Sequence, residues 1–268
     1  MTDSDLADVS GYADEYRLRV FDAALAEFGL HRGDLLDADA PTALAVLVRQ
    51  YVVGGPGGSP RSDPGRAAGA LERALGTGGL DPEDLWRDFA AECERANVPL
   101  ADERLRDAVT GLARLVEREG NPFRWVEREV DACGRLTVPD DELDSLAGLG
   151  PDGARAFLRD AVWLVGVEGG VRRQDRHLLQ SVGRWVRPVV EALWPSLDGA
   201  DEVVLANHVA DACADAGVSG VAFNQGAWYL GREAVGGGPD RVRRDLRRRF
   251  GESGRTEATD ASAGRERT

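Results

Sequence analysis

Lysine is absent from this chain, so all 33 of its basic side chains are arginines. Aspartate and glutamate together number 47, which leaves a formal net charge of −14. An acidic surface without lysine is typical of a protein from a high-salt cytoplasm encoded by a GC-rich genome; codon bias combined with ordinary acidity is the alternative. This charge opposes non-specific binding to nucleic acids, because like charges repel.

Cysteine and histidine are scarce, with three of each. Cys93, Cys133 and Cys213 lie far apart, and no Cys-x-x-Cys spacing indicates a zinc site or an iron–sulfur cluster. The histidines form no cluster along the chain, which argues against a metal site. Cys213 shares an apolar stripe with Val204 and Val209, so we expect a buried core thiol there.

Long hydrophobic runs are also lacking, and the first residues do not have the pattern of a signal peptide. We therefore expect a cytoplasmic protein without a membrane partner. No segment alternates β-branched and polar residues over the length of a strand, so the fold needs no sheet. The sequence predicts an all-α protein, organised as a two-lobed helical bundle.

A stretch rich in glycine and proline at 54–65 predicts a loop or linker. N-terminal helices are expected in 1–53, after a frayed start at 1–11, and one or more helical domains in 66–250. The polar segment 251–268 is expected to be a disordered tail. The apolar periodicity predicts helices over 14–29, 41–53, 66–76, 82–96, 101–119, 122–133, 139–150, 153–166, 200–216, 220–235 and 239–250, with a short one beginning at Pro188.

The segment Leu146–Ala154 combines two close glycines with the start of an apolar helix. Glycine lets the backbone turn sharply and approach a ligand without a Cβ in the way. The first N–H groups of a helix lack intrahelical partners and carry the positive end of its dipole, which suits a phosphate. The pattern predicts a helical hairpin at about 139–166 that reverses at Gly148–Gly150. A plain helix–helix turn is the alternative.

A second motif, Asp175-Arg-His177, follows the apolar helix and a glycine-rich loop. We expect Asp175 at or near a helix N-terminus, in a solvent-connected cleft that faces the same groove as the hairpin. The neighbouring Arg172, Arg173 and Arg176 suggest an exposed rim that attracts anions. If Asp175 is instead a helix cap, or is buried in an ion pair, its role is structural, since Asp is a favoured N-cap residue.

Together these segments resemble the helix-hairpin-helix DNA glycosylase superfamily. Its hairpin motif is Leu-Pro-Gly-h-Gly-x-x-[Thr/Ser]-Ala, where h is apolar, and a Gly/Pro-rich loop then leads to Asp-x-His-[Val/Leu]. The residues that match are Leu146, Gly148, Leu149, Gly150 and Ala154 in the hairpin, and Asp175, His177 and Leu178 in the second motif. The resemblance covers roughly residues 139–233.

The resemblance implies a monofunctional DNA N-glycosylase of base excision repair that hydrolyses an N-glycosidic bond. Asp175 would be the catalytic carboxylate that stabilises the oxocarbenium-like sugar and directs water onto it. Asp152 stands where bifunctional relatives carry a lysine, so neither a Schiff base nor lyase activity is expected. The implied nucleic-acid-binding residues are Gly148, Leu149, Gly150, Gly153, Arg172, Arg173 and Arg176. No cofactor is implied, apart from a monovalent cation at the hairpin.

Other functions stay open. The chain could be a catalytically silent nucleic-acid-binding module, an N-glycosidase of a free or modified nucleoside or nucleotide, or a protein-interaction domain. Asp152 and the overall acidity disfavour duplex DNA, whereas residues 171–250 favour it because twelve arginines there exceed ten acidic residues. An enzyme that flips out a base needs a stacking wall, for which Trp125 and Tyr229 are candidates.

Overall fold

The computed structural model of the chain describes residues 3–54, 64–99, 102–235 and 237–250. Within these ranges it consists of α-helices with a few short π and 3₁₀ segments, and it has no strand. The prediction of an all-α fold is therefore confirmed. None of the helices in the described part is long and apolar enough to cross a membrane.

The helices of the first half of the chain are α1 Asp3–Ser10, α2 Ala13–Tyr16, α3 Asp22–Ala26, α4 Arg32–Asp37, α5 Ala40–Leu47, α6 Pro64–Gly78, α7 Pro82–Arg95, α8 Asp102–Glu119 and α9 Pro122–Cys133. Those of the second half are α10 Thr137–Asp144, α11 Gly150–Val165, α12 Arg187–Leu193, α13 Glu202–Asp215 and α14 Gly220–Tyr229. A further helix occupies 239–250. Three π-helical turns extend neighbouring helices at Arg17–Phe21, Val48–Val53 and Leu230–Ala234.

Side-chain caps explain why several helices begin where the sequence predicts. Asp81 accepts hydrogen bonds from the backbone N–H groups of Glu83 and Asp84, with Pro82 at the first helical position of α7. Asn121 caps α9 in the same way and also donates through Nδ2 to the carbonyl of Leu35, at 2.8 Å. A cap of this kind therefore also fixes α9 to the α4 segment.

The chain divides into two compact units. The first consists of Met1–Arg17 and Val182–Thr268, and the second of Leu18–Ser181. The structural boundaries thus differ from the sequence-based division at 54–65. Residues 55–63 of the expected linker, and the expected tail at 251–268, lie outside the described residues.

The second unit has an aromatic centre around Phe157 of α11. Its ring lies 5.5 Å from that of Tyr51 and 5.2 Å from that of Phe123, and all three side chains are buried. Helix α11 also packs against α9 and α10. The apolar residues of α11 are thus mostly buried, which fixes the position of the hairpin.

The first unit is built around α14, which contacts α1, α2 and α13. Gly226 allows α14 and α1 to approach closely, because a Cβ there would lie 2.0 Å from the carbonyl oxygen of Val9. The Trp228 ring meets Tyr16 edge-on at 5.4 Å. Trp228 is thus a core residue.

One N-terminal prediction is wrong, and one N-terminal helix was not predicted. Residues 3–10 form α1 with Leu6 and Val9 buried, although this polar stretch was expected to be frayed. The unpredicted helix α4 begins after His31, whose backbone N–H donates to Asp34 at 2.8 Å. Both helices are too short to show a clear apolar period in the sequence.

Candidate functional site: the hairpin and Asp175

Helices α10 and α11 pack against each other and are joined by the turn at 145–149. In the turn, the N–H groups of Leu149 and Gly150 both donate to the carbonyl of Leu146, at 3.0 and 3.3 Å. The helix is interrupted at the glycines and no strand occurs in the described part of 139–235, so two packed helices flank a turn in this segment. Its helices are offset from the expected bounds: α10 ends six residues earlier and α11 begins three residues earlier.

The glycines of this turn serve different purposes. Gly150 has a φ of 65°, a left-handed conformation that glycine adopts without strain, and a Cβ there would meet open space. A Cβ on Gly148 would lie 2.2 Å from the carbonyl oxygen of Arg104, so Gly148 is required for packing against α8. On Gly153 it would lie 2.9 Å from Leu149 Cδ1. Leu149 itself is buried.

These contacts divide the residues expected to bind a nucleic acid. Leu149, Gly148 and Gly153 face neighbouring protein atoms, and Gly150 alone of the four faces open space. The hairpin motif of the family that this sequence resembles has Thr or Ser at the position of Gly153. Glycine is explained there because a Cβ would crowd the Leu149 side chain and would lie 3.4 Å from the carbonyl oxygen of Tyr51. The surface available to an anion is therefore limited to the start of α11.

The hairpin is strongly acidic. Helix α10 carries four carboxylates, of which Asp141 and Asp144 are exposed and Glu142 is paired with Arg118. Asp152 follows in the first turn of α11, where Ser181 donates to its carbonyl at 3.1 Å and lies 3.4 Å from Oδ1. The field around the turn therefore repels phosphate, although the first N–H groups of α11 attract it.

Asp175 does not lie in the solvent-connected cleft that the sequence led us to expect. The residue is only 2% exposed, and its Oδ2 accepts hydrogen bonds from Nε of Arg135 and from the backbone N–H of Leu136, both at 2.8 Å. The expectation of an exposed carboxylate is wrong because two donors from the α9–α10 connection enclose it.

The bonds of Asp175 belong to a wider contact between two loops. The backbone N–H of Arg172 donates to the carbonyl of Gly134 at 2.9 Å, and Gly134 ends α9 with a φ of 68°. Leu136, which Asp175 binds, is the residue that precedes α10. Asp175 therefore fixes the start of the hairpin from another segment. It lies in a 3₁₀ segment, Arg173–Leu179, and its side chain does not cap that segment.

The arginine rim is present in part. Arg172 and Arg173 are exposed, as predicted. Arg176 is half-buried, with Nε 3.4 Å from the carbonyl of Val171. Nδ1 of His177 lies 2.9 Å from the carbonyl oxygen of Gln174, to which it donates when protonated. Two guanidinium groups thus remain at the surface beside a buried Asp175.

Asp140 is a polar residue of this region that the sequence alone does not single out. Its Oδ1 is buried and has no hydrogen-bond partner among the described residues. Burial raises the pKa of Asp140 to about 6, and the nearby carboxylates of Asp144, Asp141 and Asp175 add to the rise while Arg155 opposes it. An aspartate in an acidic stretch gives no sequence signal that separates it from exposed neighbours.

The candidates for a base-stacking wall lie in the core. Trp125 is 2% exposed and Tyr229 is 8% exposed. Cys213 is buried, as expected, and burial raises the pKa of the Cys93 thiol to about 11. Within the described ranges, no three His, Cys, Asp or Glu side chains come together as metal ligands.

A cavity of about 240 Å³ lies in the second unit. It is lined by Arg32, Gly33, Leu36, Trp163 and Leu164. The Arg32 guanidinium stacks on the Trp163 ring at 4.7 Å and is held by both carboxylate oxygens of Asp22 at 2.6 Å. Both oxygens of the Asp22 carboxylate bind Arg32, so its positive charge is offset beside the cavity.

No protein-family model, no curated protein and no solved structure matches the chain. A function for this protein therefore has to be inferred from its own geometry and charge.

Proposed function

We propose that the chain is a helical nucleic-acid-binding module without N-glycosidase activity. The observation that carries this choice is the burial of Asp175, whose Oδ2 is bound by Arg135 and by the backbone of Leu136. A carboxylate that stabilises an oxocarbenium-like sugar has to lie close to that sugar. Asp175 is 2% exposed, so its charge stabilises the α9–α10 connection instead.

The exposed arginines support the binding of a polyanion. Arg172 and Arg173 are at the surface, where the preceding loop meets the 3₁₀ segment. Guanidinium groups bind phosphates with two parallel hydrogen bonds, which makes arginine well suited to a nucleic-acid backbone. The open space at Gly150 and the start of α11 add a second point of contact.

Acidic side chains on the hairpin limit the number of phosphates that the protein is expected to contact. Asp141 and Asp144 repel a phosphate backbone, so the contact is expected to involve few phosphates and to depend on the arginines. The affinity should then fall only gradually as the salt concentration rises. Each phosphate contact contributes about −0.9 to the slope of log K against log salt on duplex DNA, so a few contacts give a shallow slope.

Two measurements test the proposal. Fluorescence anisotropy with a labelled duplex and a labelled single strand, over a range of KCl concentrations, measures binding. We expect Arg172→Ala with Arg173→Ala to weaken it about tenfold at low salt and to reduce the salt slope by about two. The matched control is Arg87→Ala with Arg114→Ala, which removes two exposed arginines elsewhere.

Base release from damaged-base duplexes and from free nucleosides, assayed in molar KCl, measures catalysis. We expect none. Base release that is lost in Asp175→Asn would contradict the proposal and restore Asp175 as a catalytic residue. An absence of binding to both duplex and single strand, or equal effects of the rim variant and its control, would also contradict it.

A further inference from the structure

Helix 239–250 is the most basic segment of an acidic chain. It carries six arginines and two aspartates, in a protein of net charge −14. The arginines are Arg241, Arg243, Arg244, Arg247, Arg248 and Arg249. The helix belongs to the first unit, whereas the hairpin and Asp175 belong to the second. The helix is therefore considered as a surface of the first unit alone.

One side of this helix is fixed to its unit. Val242 and Leu246 are buried, one helical turn apart. Arg243 is bound to Asp198 at 3.0 Å and to Glu191 at 3.2 Å, and Arg247 is bound to Asp198 at 2.9 Å. These contacts hold the helix in one orientation.

The opposite side presents Arg241, Arg244 and Arg248 to solvent. Seven residues separate the first from the last, so the stripe rises by about 10 Å along the helix. Between Arg241 and Arg248 the helix has one carboxylate, that of Asp245. It lies 3.5 Å from the Arg241 guanidinium and 3.7 Å from that of Arg248, so both ion pairs are long. The stripe therefore has three guanidinium groups for one carboxylate. The side chains of Arg241 and Arg248 are 64% and 73% exposed.

We propose that this stripe binds the phosphate backbone of a nucleic acid. The inference extends the proposed function, on which it rests for the class of partner, to a second surface. A nucleic-acid strand offers one phosphate charge about every 3.4 Å of rise, so a stripe of about 10 Å spans roughly three phosphates. Three arginines on one face of a fixed helix match this spacing, and each guanidinium can bind a phosphate through paired hydrogen bonds.

A membrane surface fits the stripe less well. Helices that bind at a lipid interface place an apolar face among the acyl chains. Val242 and Leu246 form the apolar face of this helix, and both are buried within the unit. What remains on the outer face is charge, which suits a soluble polyanion.

Two kinds of variant test the proposal in the full chain: one removes positive charge from the stripe and the other removes negative charge. Arg244→Gln with Arg248→Gln removes two charges from the stripe but keeps good helix formers. We expect the Kd for a labelled DNA strand to rise about tenfold at low salt and the salt slope to fall by about two. Asp245→Asn removes the carboxylate and should tighten binding about threefold, with a steeper slope. Arg87→Gln with Arg114→Gln is the control and should leave the Kd within about twofold.

The outcomes separate this surface from the rim in the second unit. If the helix variants change the Kd and the Arg172/Arg173 variant does not, the stripe stands and the hairpin contact fails; the reverse result overturns the stripe. An unchanged Kd in both helix variants, or weakening by Asp245→Asn, overturns it as well. Binding to vesicles of anionic phospholipid with the same arginine dependence, without binding to DNA, would assign the stripe to membranes instead.

Discussion

Arg135 and Asp175 are forty residues apart in the chain, and Nε of the first lies 2.8 Å from Oδ2 of the second. The Asp175 side chain is 3% exposed and that of Arg135 is 34% exposed. The pair therefore joins the α9–α10 connection to the 3₁₀ segment. Asp175 is excluded from water in this pair, whereas Arg135 is still partly solvated. This geometry makes the ion pair a structural element with a measurable contribution to folding.

We expect Asp175→Asn to lower the free energy of unfolding by about 1–3 kcal/mol, because it removes the charge that Arg135 binds while leaving an oxygen for the Leu136 N–H. Arg135→Gln should cost at least as much, since it leaves the buried Asp175 carboxylate without its guanidinium partner, whereas Arg135 is partly solvated. Denaturant unfolding of both single variants and the double variant would give the coupling energy. Asp84→Asn, which breaks an exposed pair with Arg87, is the control and should cost less than about 0.5 kcal/mol. If the loss in the double variant equals the sum of the losses in the two single variants, the coupling energy is zero and the pairing is contradicted.

The second prediction concerns Gly148. Replacing it with Ala should destabilise the protein by about 2–3 kcal/mol or more, because the new Cβ would lie 2.2 Å from the carbonyl oxygen of Arg104. Thermal and denaturant unfolding measure this. Gly169→Ala is the matched control, since a Cβ there meets open space, and it should be neutral or slightly stabilising. If Gly148→Ala is fully stable but loses DNA binding, the glycine serves a ligand rather than packing.

These residues show what sequence could and could not predict here. Helix α9 was predicted at its observed bounds because its end signals are local in sequence: Asn121 and Pro122 mark its start and Gly134 marks its end. The hairpin was predicted because apolar periodicity and glycine are also local signals. Helix α11, however, begins at Gly150 rather than at 153, since Pro151 and Asp152 suit a first turn.

The role of Asp175 was not predictable in the same way. Its local sequence fits a helix cap, whereas its observed partners, Arg135 and Leu136, come from a loop almost forty residues earlier. The glycines pose the same problem, because Gly148 and Gly150 look alike in sequence. Only the nearby backbone of α8 distinguishes the packing role of the first from the left-handed turn of the second.

The third prediction concerns a buried polar group beside the aromatic centre of the second unit. Tyr51 donates through its hydroxyl to Oδ2 of Asp160 at 3.1 Å, and Asp160 also forms a two-pronged, fully buried ion pair with Arg159. Tyr51→Phe should cost about 1–3 kcal/mol of unfolding free energy, because the hydroxyl bonds a buried charge. Tyr12→Phe removes a hydroxyl that contacts Arg249 near the surface and should cost less than about 0.5 kcal/mol. Equal losses in the two variants would argue against a special role for the buried group.

The last prediction concerns pH. Asp140 has a pKa of about 6 in the folded protein and an ordinary value of 3.8, so the folded state holds this proton more tightly than the unfolded state. Its contribution to stability is therefore most favourable below the ordinary value and becomes a penalty as the pH rises through the folded value. Asp140→Asn should raise the unfolding free energy at neutral pH by about 1–2 kcal/mol, allowing for partial exposure, and should have little effect at a pH of about 4.

Denaturant unfolding of wild type and variant across this pH range would measure the difference. The groups that face Asp140 are Asp141 and Asp144 on its own helix, Arg155 on α11 and Asp175 on the 3₁₀ segment, and none of them is changed in the variant. Exposed Asp131 on α9 supplies the control, because Asp131→Asn removes the same charge without relieving burial and should shift stability by less than about 0.5 kcal/mol at either pH. A variant that is destabilised at neutral pH, or equally stabilised at both, would show that the Asp140 carboxylate is not penalised by its burial.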